Sequence, residues 1–207
     1  MIEITPNWIG LSAKQPVAWL RVTNQGNTNI FLQIEVVHWT QHDSEDRYRP
    51  SHAISITPAL LELPEHKTRL LRFELKETEE SNVQQTYRVY IKQILDHVHF
   101  ALHLSLPLFV QPSIMHEQFA WTAQWIDDQH LIVQLNNTGN VTLFTDTWQL
   151  FTKDHEPLLN EQEAFNYILP NEHRSWMVTL QSHQKITPME IDATINAQTV
   201  NTELKIL

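Results

Sequence analysis

Apolar side chains alternate with small or polar ones along Val98-His99-Phe100-Ala101-Leu102-His103-Leu104-Ser105-Leu106, and the run continues through Pro107-Leu108-Phe109-Val110. A period of two places one set on one side of an extended chain, so the pattern predicts a β-strand with one apolar face. Thirteen residues at roughly 3.3 Å each span about 40 Å, well over twice a usual strand. A strand of that length extends past the sheet that anchors it, which leaves part of its apolar face free. The plainer alternative is a core strand of its own sandwich.

The rest of the chain reads as strands in series. Ile2 to Leu11 forms a first strand with Pro6 at a break, followed by Val17 to Thr23, the turn Asn24-Gln25-Gly26-Asn27, and Ile30 to Thr40. Gln41 to Ser51 is polar and charged and reads as a loop. Ile54 to Ile56, Thr68 to Leu75 and Thr86 to Ile94 are further strands, with Leu60 to Leu63 leading to Pro64 and an acidic loop over Lys76 to Gln85. Gln111-Pro112-Ser113 ends this set. A second set comprises Phe119 to Ile126, Leu131 to Leu135, Val141 to Phe151, Trp176 to Leu180, Glu190 to Asn196 and Thr199 to Leu207. Glu161 to Phe165 reads as a short helix. Turns at this spacing predict two β-sandwiches joined by a short linker, over residues 1–111 and 112–207.

Composition narrows the class. A net charge of -10 argues against a general nucleic-acid binder. The chain has no Cys, which excludes disulfides and thiolate chemistry, and no apolar stretch is long enough for a membrane-spanning helix. Met1 runs straight into the alternating Ile2-Glu3-Ile4, which reads as no signal peptide and, taken literally, a cytoplasmic chain. A mature exported protein would look the same.

Candidate chemistry is sparse. His97, His99 and His103 cluster, but no accompanying carboxylate marks a metal site. No nucleophile, zincin or phosphate-cradling motif occurs, so the expectation is no enzyme, no metal and no cofactor. The seven Trp residues fall mostly within strands and read as core. Arg88 and Lys92 stand apart: four residues separate them in Thr86-Tyr87-Arg88-Val89-Tyr90-Ile91-Lys92, so both share the face opposite Tyr87, Val89 and Ile91. Two cations on one face suit an anchor for an anion or a carboxylate, or else a solvent-facing sheet surface.

Several segments together resemble a known family. Ala18-Trp19-Leu20-Arg21-Val22-Thr23-Asn24-Gln25-Gly26, Ile34 to Trp39 and Ile56-Thr57-Pro58 to Leu63 are similar, in order, to segments of the periplasmic pilus-assembly chaperones of the chaperone–usher pathway. Thr86-Tyr87-Arg88-Val89 and Leu104-Ser105-Leu106-Pro107-Leu108-Phe109-Val110 resemble that family's archaic branch most. Leu135 to Asn140 and Tyr167-Ile168-Leu169-Pro170 extend the likeness into the second half. The resemblance implies an all-β chain of two immunoglobulin-like sandwiches set at an angle, like a boomerang. It implies a periplasmic chaperone that lends its long strand to incomplete pilus subunits and passes them to an outer-membrane usher. The lent face would be Val98, Phe100 and Leu102 with Leu104, and self-association through that strand would cover it in the free protein.

The sequence also departs from the family. The better-known branch anchors the subunit's terminal carboxylate with an Arg on the first strand and a Lys on the long one. Trp8 and Pro107 stand at those places. Arg88, with Lys92 beside it, is the substitute on offer. Gln111 stands where an interdomain Arg is usual, and the Leu95-Asp96-His97 loop is short. The rival readings are a two-domain adhesion or structural sandwich that binds a ligand through its loops, and a metal-dependent hydrolase on a β-sandwich.

Overall fold

The structure is a computed structural model and describes residues 1–94, 102–180 and 186–207. Val98 and Phe100 therefore lie outside the described residues, as do His97 and His99. Every element among the described residues is a strand. Contacts divide the chain into two units, Met1–Thr40 with Asp46–Met115, and Gln41–Glu45 with His116–Leu207.

The first unit holds β1 (Ile2–Thr5), β2 (Ile9–Ser12), β3 (Val17–Asn24), β4 (Ile30–His42) as far as Thr40, β5 (Glu45–Pro50) from Asp46, β6 (Ile54–Thr57), β7 (Leu60–Leu63), β8 (Thr68–Leu75), β9 (Gln85–Ile94) and β10 (His103–Gln111). One sheet runs β1-β3-β8-β6 and the other β2-β10-β9-β4-β5, with β7 on β4. Their inner faces share a core that includes Leu20, Val22, Leu71 and Phe73 from the first sheet and Ile34, Val89, Ile91, Leu106 and Leu108 from the second. The alternation read from the sequence is this inward set, one residue in two.

Two corrections concern the first unit. The first strand is two: β1 pairs with β3 while β2 pairs with β10 in the other sheet, and Pro6 lies where the chain changes sheets. Gln41 to Ser51 is not a loop but a hairpin, in which Asp43 and Ser44 form the turn at positive φ (50° and 67°) and β5 follows. Two residues with φ > 0 make the tight turn that suits antiparallel strands. Every residue of β5 is exposed, so this edge strand has no apolar alternation to reveal it, and its charges blunt the sheet edge.

The second unit holds β11 (Phe119–Trp125), β12 (His130–Asn137), β13 (Leu143–Thr152), β14 (Gln162–Ile168), β15 (His173–Thr179), β16 (Met189–Ile195) and β17 (Gln198–Ile206). Their order is β14-β13-β16-β17-β11-β12-β15 around a second core. Trp121, Trp148 and Trp176 meet there with ring centroids 5.7 to 6.1 Å apart. Of the segment Glu161 to Phe165, all but Glu161 belongs to β14, not to a helix. Ala164 and Ile168 point inward from it while Glu163 and Phe165 point out, so it is a half-exposed edge strand. Trp8 and Trp19 also depart from expectation, since about half of each is exposed.

Both units pin a turn with the same device. Asn24 is buried; its Nδ2 donates to the carbonyls of Thr28 (2.8 Å), Leu63 (3.1 Å) and Pro64 (3.2 Å), and its Oδ1 accepts from Gly26 N–H (2.9 Å). Asn137 is buried likewise; its Nδ2 donates to Val141 O (2.8 Å) and Ile168 O (2.9 Å), and its Oδ1 accepts from Gly139 N–H (3.0 Å). Gly139 is required there for space: a Cβ would lie 2.4 Å from the His116 carbonyl oxygen.

Candidate functional site: an open strand edge

The two edges of β10 differ. One edge pairs with β9 from His103–Lys92 to Val110–Gln85. The other pairs with β2 only from Leu108–Ile9 to Gln111–Ser12. From His103 to Pro107, no strand among the described residues occupies that second edge. An open strand edge is a row of unpaired main-chain donors and acceptors, ready to bond another chain.

Side chains along this segment grade from core to surface. Leu106 is buried in the core, Leu104 is half-buried and packs against it, and Leu102 is half-buried at the start of the described segment. These apolar positions share one face. His103 and Ser105, on the other face, are exposed. The Leu102 carbonyl accepts from Gln93 N–H (2.9 Å), so the pairing with β9 reaches one residue beyond β10 itself.

On the outer face of the sheet β9 presents Arg88, Tyr90 and Lys92, as its alternation requires. Lys92 Nζ lies 2.9 Å from Glu35 Oε2 on β4, so its charge already has a counter-ion. Arg88 lies over the Trp39 ring, 4.5 Å from its centroid, and bonds the Tyr48 hydroxyl. Burial and the Asp46 carboxylate raise that hydroxyl above its ordinary pKa, and the bond to Arg88 opposes them. An aromatic face and a phenol hold the guanidinium in place. Tyr90 joins this cluster, with its ring 5.1 Å from that of His103 and 6.1 Å from that of Tyr48.

Pro107 and Trp8, where the resemblance expects the family's basic anchors, lie on β10 and just before β2. Pro107 is the direct partner of Arg88 across the β9–β10 ladder. Trp8 immediately precedes Ile9, which pairs with Leu108, and its ring closes over Gly10, where an added Cβ would meet it at 2.8 Å. Arg88 thus stands one strand inward from Pro107 at the same level. The parts of this arrangement that escape a reading of the sequence are Glu35, Trp39 and Tyr48, which come from β4 and β5. Only Pro107, a proline inside an otherwise regular alternation, carries a signal of its own. A groove of about 760 Å³, lined in part by Trp8, Trp19, Lys14, Glu79 and Glu80, opens along β2. Among the described residues no three His, Asp or Glu side chains form a metal-binding group.

Residues 1–116 match the family described as pili and flagellar-assembly chaperone, PapD N-terminal domain, and the chain belongs to that family. It is a pilus chaperone, a protein that binds pilus subunits, and neither family nor fold is that of an enzyme. No curated protein matches it by sequence. Among solved structures it resembles a chain of the CsuC–CsuE chaperone–tip adhesion subunit pre-assembly complex from the archaic chaperone–usher Csu pili of Acinetobacter baumannii. That match has a TM-score of 0.75 at 16% identity and covers 100% of this chain and 99% of the other. The E. coli chaperone DraB matches with a TM-score of 0.67 at 16% identity, over 99% and 97% of the two chains. The CupB2 chaperone of Pseudomonas aeruginosa matches with a TM-score of 0.65 at 14% identity, over 99% and 100%. These likenesses establish a chaperone fold of two β-sandwich domains.

Proposed function

We propose that the chain works in the periplasm and completes the fold of a pilus subunit by adding β10 and the residues before it to the subunit's sheet. The observation that carries this is the open edge of β10 from His103 to Pro107. Strand addition at such an edge is a general mode of recognition, of which chaperone–pilin pairing is a recognised instance: main-chain bonds hold the strand and alternate side chains fill pockets. Val98, Phe100 and Leu102, with Leu104 at the margin of the chaperone's own core, supply the apolar row. Arg88 anchors the subunit's terminal carboxylate, and such a charge-assisted contact is worth on the order of 1.5–3 kcal/mol. Lys92, engaged with Glu35, is the lesser contributor. The loaded complex is delivered to an outer-membrane usher, and in the free protein a second copy covers the edge.

The test pairs stability with capture. Phe100→Glu and Leu102→Glu put an unpartnered charge into the subunit's groove, at the cost of burying an ion. Both variants are expected to melt within a few degrees of the wild type and to lose the co-expressed subunit. Arg88→Ala should likewise fold and recover less subunit. A glutamate variant that unfolds alone would make this row the chain's own core, and one that keeps its subunit would remove the row from the interface.

A further inference from the structure

The chain leaves a gap in the first sheet where it changes sheets at Pro6. β1 pairs with β3 only from Ile2–Asn24 to Thr5–Arg21, and the chain then joins β10 as β2. β3 itself starts earlier, paired with β8 from Val17–Glu74 to Thr23–Thr68. From Val17 to Leu20, no strand among the described residues lies on its other edge. Backbone groups alternate sides along a strand, and the bonds at both ends of β3 fix which groups face the gap. Leu75 N–H donates to the Pro16 carbonyl (2.8 Å) and Asn24 N–H to the Lys67 carbonyl (2.9 Å), so the even-numbered residues turn their main chain toward β8. Gln25 N–H donates to the Met1 carbonyl (2.8 Å), which gives the odd-numbered residues to the β1 side. Val17 and Trp19 therefore present a donor and an acceptor each to the gap, enough for two more rungs of ladder.

The groove of about 760 Å³ lies along this gap: Val17, Ala18 and Trp19 line it together with Ile9 to Ser12 of β2, and every residue of its lining belongs to the first unit. Trp8 and Trp19 in that lining are each about half exposed, and Met115 is exposed. Large apolar side chains scattered singly over a surface carry no message, but gathered in one concave place they mark a docking site. An entering strand alternates as its hosts do. One set of its side chains would stand beside Trp19, and the other would turn toward the core margin at Ile9, Leu11 and Ala18. Charge narrows the occupant further. Glu79 and Glu80 line the groove against the single ammonium of Lys14, and Glu80 Oε2 is held by the Ser113 hydroxyl at 2.7 Å. Two carboxylates close to two indole rings offer a Lys or Arg side chain a counter-ion and an aromatic face in one place, whereas an acidic side chain would be repelled.

We infer that the gap beside β3 is a second strand-docking site, which takes an extended segment of a partner protein bearing a Lys or Arg. The main chain of Val17 and Trp19 holds the segment, Trp8 and Trp19 pack on it, and Glu79 and Glu80 select its charge. The site lies in the other sheet from β10 and stands whether or not that open edge receives a subunit.

The experiment titrates the full chain with two synthetic peptides, acetyl-Lys-Thr-Val-Thr-Val-Lys-amide and its counterpart with Glu in place of both Lys. Calorimetry gives the affinities, and amide hydrogen exchange resolved by residue gives the place of binding. The lysine peptide is expected to protect the Val17 and Trp19 amides and to bind about tenfold more tightly than the glutamate peptide. Trp19→Ala, which leaves the buried Leu20 and Val22 in place, should weaken the lysine peptide about tenfold, as loss of an aromatic anchor does. Glu79→Lys should cut the preference between the peptides to about twofold or less. Protection of His103 and Ser105 without Val17 and Trp19 would put the peptide on β10 and overturn the inference. Equal affinity for the two peptides, or no protection at Val17 and Trp19, would overturn it as well. Protection of Val17 and Trp19 that rises with protein concentration in the absence of peptide would make a second copy the occupant and overturn the choice of partner. None of these failures touches subunit capture at β10, which is read at His103 and Ser105.

Discussion

At the scale of single residues, two buried amides do the same work in the two units. Asn24 and Asn137 each hold a turn to a segment far along the chain, Leu63 and Ile168 respectively. Asn24→Ala removes the amide from the Thr28 and Leu63 carbonyls and the Gly26 N–H, while the Pro64 carbonyl keeps the Lys67 N–H. Unsatisfied buried groups cost about 1–3 kcal/mol, so chemical denaturation of the first unit should lose that amount, and Asn137→Ala should do the same to the second. A denaturation midpoint left in place by Asn24→Ala would mean that the turn closes without the amide. The Asn-x-Gly turns were legible in the sequence; their long-range bonds were not, because nothing local marks Leu63 as a partner. Arg88 and Lys92 show the same limit. Alternation along one strand placed both on one face, but the order of strands in the sheet gave Lys92 its Glu35 and Arg88 its Trp39.

At the scale of elements, the strands that bury a face were readable and the strands that bury none were not. β8 spans Thr68–Leu75, the bounds its alternation suggests, because Leu71, Phe73 and Leu75 all enter the core. β5 has no buried residue, and β14 buries only Ala164 and Ile168, four apart, a spacing that a helix face also shows. β10 changes its work along its length. Leu106 belongs to the core, Leu104 to its margin, and Leu102 to the segment proposed for the partner. Truncation to alanine should therefore give two opposite orders. In the free chain, loss of stability should run Leu106, Leu104, Leu102, with the first costing about 2–5 kcal/mol as a large-to-small core change. Loss of subunit recovery, compared among variants that fold, should run in reverse. One common order in both measurements would show that the strand has a single role.

At the scale of the whole molecule, each unit buries a core of its own. What stays open is a strand edge, the feature that folded proteins usually cover. The alternation from Val98 to Leu106 suggested a strand longer than its sheet; the open edge itself was invisible in the sequence, because it depends on where β2 begins. The central claim is that a subunit's backbone fills this edge. Amide hydrogen exchange, residue by residue, in the free chain and in its complex with a subunit tests that most directly. Leu104 and Leu106, whose N–H groups face β9, should be protected in both states. His103 and Ser105 should exchange freely in the free chain under conditions that keep it monomeric, and become protected in the complex. If His103 and Ser105 stay unprotected when the subunit is bound, the subunit does not add its strand at this edge and the account is wrong.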